Sequence, residues 1–251
     1  MTRFFSTVLA FVSLTFLAAQ EQARPDSATQ FADAQNRLKK VGEGKYELDG
    51  LRINAVTREV RLPARIELRE APIEYLLVHE TGKTHESVLT TAVSPIAIQV
   101  ALLLANYQAG TEGLLAKIPD SQRPQIAWKE ESPPTPGGHR VSLHAEWMDK
   151  GKIKRVPLAE WVQNAETRQP PADLDHWIFN GSYIDERGFI AQQEGSIIAV
   201  WLDRGALFNS PAEGNWEDQR WLSMPKNIPE KGTEVTLIIQ PMKHVAPQHG
   251  N

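Results

Sequence analysis

The sequence predicts an α+β fold, with largely antiparallel sheet, one principal helix and a short second helix. Three observations predict it. Apolar and polar residues alternate with period two from Gly44 to Leu68, a capped apolar run occupies Ser94 to Asn106, and alternation returns from Arg140 to Trp147 beyond a stretch crowded with proline and glycine.

Residues 1–19 have the layout of a secretory signal peptide: Met1-Thr2-Arg3 is a short basic start, Phe4 to Leu17 is apolar without an acidic residue, and Ala18-Ala19 supplies small residues at a cleavage point. The run falls short of the roughly 20 apolar residues that span a bilayer. The expected location is therefore exported, periplasmic or extracellular, with no membrane span after cleavage. Residues 20–43 are polar and read as a tether, because Phe31 and Leu38 give any helix beginning at Ser27 little apolar face to bury.

From Gly44 the chain reads as one domain, 44–241. Tyr46 to Leu48, Leu51 to Ala55 and Val60 to Leu68 are strands with one wet face, joined at Asp49-Gly50 and Thr57-Arg58-Glu59. Ile73 to Val78 is more continuously apolar, as expected of a strand covered on both faces at a sheet centre. Ser94 caps a helix with Pro95 in its first turn, and Ile96, Val100, Leu103 and Leu104 with Leu102 make a broad apolar face. Thr111 to Gly138 is a loop excursion.

Val141, Leu143, Ala145 and Trp147 then alternate with Ser142, His144 and Glu146 in a strand, and Lys150-Gly151 turns it into Lys152 to Val156. Pro157 to Gln163 suits the short second helix. His176 to Ile184, Phe189 to Gln193 and Ser196 to Leu202 read as short strands, Ala206 to Asn209 as a helical turn and Trp216 to Pro229 as loop. Thr233 to Gln240 is a final strand before a disordered tail, 242–251.

The chain contains no cysteine, which removes disulfides, thiolate metal sites and cysteine nucleophiles together. Net charge is −4 with acidic and basic residues interspersed, so no basic stripe matches a phosphate backbone and nucleic acid is not an expected partner. The sequence requires no cofactor.

The densest polar chemistry stands at His79-Glu80-Thr81-Gly82-Lys83-Thr84-His85-Glu86, read as the tip of a β-hairpin. A two-residue turn would put His79 and His85 on opposite faces. A three-residue turn, with Gly82 left-handed, would put them on one face with Tyr75 and Ser87. In that arrangement His79, His85 and Glu86 are candidate metal ligands, and Lys83, His85 and Glu86 candidate binding groups. The spacing is not that of a helical zinc protease site, and Ser87 lacks a nucleophile elbow. A solvated tip of ordinary surface residues accounts for the same composition. His144 and His176 stand singly in strands, and His244 and His249 fall in the tail. Of the seven tryptophans, Trp216 and Trp221 stand among polar neighbours and are candidates for stacking on a sugar ring.

The blocks GKTHESVL at Gly82–Leu89, the helix Ile96–Leu104, GSIIAVWLDRGALFNSP at Gly195–Pro211 and GTEVTLIIQP at Gly232–Pro241 resemble those of exported bacterial YdjY-domain proteins, from about Gly44 to Pro241. The resemblance implies export and a single domain, places Lys83, His85 and Glu86 ahead of other polar groups, and transfers no catalytic residue. The expected role is binding of a ligand or partner protein in the cell envelope. The alternatives are a metal-dependent or hydrolytic enzyme using His79, His85 and Glu86, and a carbohydrate-binding module using Trp216 and Trp221.

Overall fold

The computed structural model describes residues 26–111, 114, 138–217 and 219–242. The expected signal peptide, almost all of the 111–138 excursion, and the tail beyond 242 with His244 and His249 lie outside these residues. Among the described residues three helices, α1 Ser27–Asn36, α2 Pro95–Leu104 and α3 Ile190–Glu194, accompany sixteen strands. In chain order the strands are β1 Lys39–Gly42, β2 Lys45–Leu48, β3 Leu51–Asn54, β4 Glu59–Ile66, β5 Tyr75–His79, β6 Ser87–Thr91, β7 Arg140–Asp149, β8 Lys152–Pro157, β9 Val162–Asn164, β10 Trp177–Phe179, β11 Ile184–Asp185, β12 Gly188–Phe189, β13 Ser196–Ala199, β14 Phe208–Asn209, β15 Trp221–Ser223 and β16 Glu234–Pro241.

Eight of these strands close on themselves in the order β4-β16-β7-β10-β14-β13-β5-β6, with β6 pairing back onto β4. The α+β expectation is therefore corrected to a mostly β fold, an eight-stranded closed barrel with about 17% helix. Alternation cannot distinguish the two. A strand with one buried face reads the same in an open sheet and in a barrel wall, and closure depends on long-range pairings such as Arg65↔Thr90 and Ile66↔Leu89. An eight-stranded barrel is just wide enough for side chains to fill or for one small ligand. Here Leu62, Leu143, Leu237, Trp177, Phe179 and Phe208 occupy that core, all buried, while Arg61, Glu146 and Gln240 alternate with them on the outside.

Strand β4 makes the closure possible by changing partners along one edge. Its first half pairs with β3 through Asn54↔Glu59, Ile53↔Val60 and Arg52↔Arg61, and its last two residues pair with β6. The split falls at Pro63. The Pro63 carbonyl accepts the Thr91 hydroxyl at 2.7 Å, so the ring nitrogen, which lacks a hydrogen, faces the same gap where no ladder bond is needed. Beside the split lies a groove of about 720 Å³, bordered by Pro63, Arg65, Val93, Trp147, Met148 and Ile153.

Several elements differ from expectation for local reasons. The tether expected over 20–43 is ordered from Asp26: its carboxylate accepts the Thr29 N–H at 2.9 Å, α1 packs on α2, and β1 and β2 extend the sheet. Phe31, too little to justify a helix by itself, gains Phe189 as an edge-on partner at 5.2 Å. Phe189 to Gln193 is mostly helix rather than strand, ended by Gly195 at φ +74°. Ala206 to Asn209 contributes β14, Pro157 to Gln163 forms a single 3-10 turn over Leu158–Trp161 before β9, and β15 lies inside the expected Trp216–Pro229 loop. Helix α2 begins at Pro95 behind its Ser94 cap as predicted, with the Ser94 hydroxyl accepting the Ala97 N–H at 3.2 Å. Leu103, expected on its buried face, is exposed. Among the described residues no helix is long and apolar enough to cross a membrane.

Candidate functional site

The segment 80–86 is not a hairpin turn. Strands β5 and β6 run parallel, in the register Tyr75↔Ser87 through His79↔Thr91, so the chain must travel back along β5 before β6 begins. Parallel neighbours ordinarily need a crossover of roughly a dozen residues or more. This one manages with residues 80–86 because the return is folded flat: the Gly82 N–H donates to the His79 carbonyl at 2.8 Å, and Thr84–Glu86 make one 3-10 turn. Gly82 does not adopt the left-handed conformation expected of it. Its missing side chain serves close approach instead, since a Cβ there would meet the Glu194 carbonyl oxygen at 2.9 Å and the Gly195 Cα at 3.2 Å.

This path places Lys83 over β5. Its ammonium lies 3.1 Å from the Tyr75 hydroxyl, 3.6 Å from Glu74 Oε2 and 3.5 Å from Glu86 Oε1. The Tyr75 hydroxyl in turn donates to Asp203 Oδ2 at 3.0 Å. Tyr75 is buried between β13 and β6, and burial first, then the neighbouring Asp203 carboxylate, pushes its phenol well above the ordinary tyrosine range. It therefore stays protonated as a donor. Glu74 is half-buried, and its carboxyl is raised chiefly by that burial and next by the nearby Glu86 charge, with Lys83 pulling the other way.

Asp203 is itself fixed. Its other carboxylate oxygen accepts the Gly205 N–H at 2.7 Å, and its backbone N–H donates to Asn209 Oδ1 at 2.8 Å. The Asn209 amide donates to the Asp203 carbonyl at 2.7 Å and to Asn180 Oδ1 at 2.8 Å, and the Asn180 amide donates to the Ala206 carbonyl at 2.7 Å. Both asparagines are buried and satisfied, which makes the 203–209 loop a rigid support under Tyr75 and Lys83. Sequence reasoning missed Glu74 and Asp203. The signals were present in a charged residue interrupting an apolar strand and in an aspartate within the Gly195–Pro211 block.

The other predicted residues are dispersed. His79 ends β5, where its ring nitrogen meets the Thr81 hydroxyl at 2.8 Å. His85 stands beside the opposite end, near the Tyr75↔Ser87 pair, a separation of four residues or roughly 13 Å along the strand. Its side chain is 80% exposed, with Glu86 Oε2 at 3.8 Å. The parallel pairing thus separates His79 from His85 and Glu86, and no group of three or more histidines and carboxylates able to hold a metal exists among the described residues. Ser87 is fully buried and donates to the Leu89 carbonyl, which removes it as a nucleophile. Trp221 is buried in β15 and Trp216 packs on Leu114, Ile178 and Leu202, so the two do not form an exposed stacking platform.

Two of the blocks that carry the sequence resemblance meet at this cluster, with Lys83 and Glu86 from one and Asp203 from the other. No curated protein and no solved structure matches the chain. The family model of the YdjY domain matches residues 51–240, a span holding the barrel except Pro241 at the end of β16 and the whole Glu74–Tyr75–Lys83–Glu86–Asp203 cluster, and the chain belongs to the YdjY domain family.

Proposed function

We propose that this protein is an exported envelope protein that acts by binding, with the Glu74–Lys83–Glu86 surface as its contact site for a cationic ligand group, an ammonium or guanidinium. The observation that carries the reading is the Lys83 ammonium set between two partly exposed carboxylates on the Tyr75–Asp203 pair. One cation against Glu74, Glu86 and Asp203 leaves surplus negative charge at a held geometry, and it offers a phosphate-like anion nothing to compensate the carboxylates. A catalytic reading lacks its parts here. Tyr75 is held protonated, Lys83 is paired with Tyr75, Glu74 and Glu86, and the nearby Ser87 hydroxyl is buried and bonded.

The test is calorimetric titration of the protein with spermidine and with a lysine-rich peptide, beside Glu74→Gln, Glu86→Gln and the remote Glu186→Gln. Saturable binding that weakens in the first two variants and survives in the third supports the site. Equal behaviour in all four proteins, or no binding, removes it. N-terminal sequencing of the envelope fraction checks export through loss of residues 1–19.

A further inference from the structure

A second surface carries the opposite charge. Strands β7 and β8 form a hairpin paired through Glu146↔Arg155, Met148↔Ile153 and Asp149↔Lys152, closed by Lys150-Gly151. Both turn residues have positive φ, 49° and 79°, the two-residue geometry that fits the twist of the flanking strands. Among the described residues strand β8 pairs with β7 alone and is an edge of the sheet. At the tip Met148 and Ile153, cross-strand partners, are 63% and 69% exposed. Around them residues 148–155 hold Lys150, Lys152, Lys154 and Arg155 against the single carboxylate Asp149, in a chain whose net charge is −4.

We propose that this hairpin tip docks on an anionic lipid bilayer, an interaction that goes beyond the cation-binding reading and does not rest on it. Met148 and Ile153 project from one face of the ribbon and Lys152 and Lys154 from the other, with Lys150 at the turn, so a tip that enters end-on matches an interface where acyl chains lie just beneath anionic headgroups. Lysine stems cover apolar surface while their ammonium groups stay at headgroup level. Lys154, on the face of its partner Trp147, sets its ammonium 5.1 Å from that ring's centroid. An acidic peptide would answer the charge but leave the Met148–Ile153 pair uncovered, and Pro157 limits its addition as a strand along β8. Glu146, on the outer face of β7, is paired with Arg61, which Glu59 shares, and Glu234 borders the same groove as Met148 and Ile153, so the basic excess belongs to the turn end of the hairpin.

The chain has no cysteine, so Ile153→Cys gives a unique attachment point for an environment-sensitive fluorophore. The labelled protein is mixed with vesicles of phosphatidylcholine alone and of phosphatidylcholine with phosphatidylglycerol, and unlabelled protein is co-sedimented with the same vesicles. Expected are a blue shift and co-sedimentation with the anionic vesicles only, both weakened by salt. Each lysine contributes on the order of five-fold in partitioning, so Lys152→Glu with Lys154→Glu should lower binding by well over an order of magnitude. Met148→Ser with Ile153→Ser should lower it on the order of ten-fold, with unfolding midpoints confirming that both double variants stay folded. Absence of binding to anionic vesicles, or binding that both double variants retain, overturns the proposal. So does binding of polyglutamate without binding of vesicles, which would assign the tip to an acidic polypeptide.

Discussion

Gly82 and Gly195 lie backbone to backbone: a Cβ on Gly195 would come within 2.8 Å of the Gly82 Cα, and one on Gly82 within 3.2 Å of the Gly195 Cα. The contact ties the crossover loop to the end of α3 and the start of β13, and it sets how closely Lys83 can approach Tyr75. Gly82→Ala must move backbone rather than the end of a flexible side chain. Its expected cost is roughly 1–3 kcal/mol, read as a lower denaturant midpoint at unchanged slope. An unchanged midpoint would show that the loop is not clamped there.

Tyr75→Phe keeps the ring in the core but removes the hydroxyl that joins Lys83 to Asp203. Leaving Asp203 short of a donor should cost about 1–3 kcal/mol. A double-mutant cycle with Lys83→Met measures the coupling, and additive losses would contradict a shared network.

Glu74 titrates above its ordinary 4.5 in the folded protein because it is half-buried and faces Glu86. The folded state therefore holds this proton more tightly than the unfolded chain, and the contribution of Glu74 to stability falls as pH rises from the ordinary value through the raised one. Glu74→Gln removes that penalty. The variant should gain on wild type, in unfolding free energy, as pH rises from about 4 to about 7. A difference independent of pH would refute the assignment.

His144 and His139 run the other way. Burial first, and then Arg155 for His144 and Arg58 for His139, lowers both below 6.5, so the folded protein keeps these rings neutral. Stability is present above 6.5 and is lost as pH falls from there through the lowered values, where the unfolded chain protonates first. His144→Gln should flatten part of that acid-side loss in a pH series of thermal midpoints.

His85→Gln tests the exposed end of the loop. With its side chain 80% exposed, the substitution should leave stability within about 0.5 kcal/mol of wild type. A larger loss would mean that His85 packs against something in solution.

Much of the barrel wall was legible because burial on one strand face writes itself into period-two alternation. The barrel strands around Leu62, Leu143 and Leu237, and the strands around Leu48 and Ile53 that extend the sheet, follow from that pattern, whereas β5, buried on both faces over Tyr75–Val78, is marked by its continuous apolar run. The short elements were not legible. A two-residue strand such as Phe208–Asn209 has too few positions to show a period, and Ile190–Glu194 is one helical turn whose apolar residues satisfy either reading. The basic tip at Lys150–Arg155 vanished in a whole-chain charge count and needed the hairpin to bring it beside Met148.

The inventory was written in the residues: which faces are apolar, where Ser94-Pro95 starts a helix, which family the Gly82–Leu89 and Gly195–Pro211 blocks resemble, and that Lys83 and Glu86 stand close together. That β5 and β6 are parallel became visible in the folded chain, and that one fact moved the site. A parallel pair carries the 80–86 loop back across β5, which separates His79 from His85 and brings Lys83 onto Tyr75, Glu74 and Asp203. Strand direction depends on pairings between residues far apart in the chain, β5 with β13 and β6 with β4, and on the glycine contact that lets the loop lie flat. Local periodicity is blind to direction, because alternation is the same whichever way a strand runs.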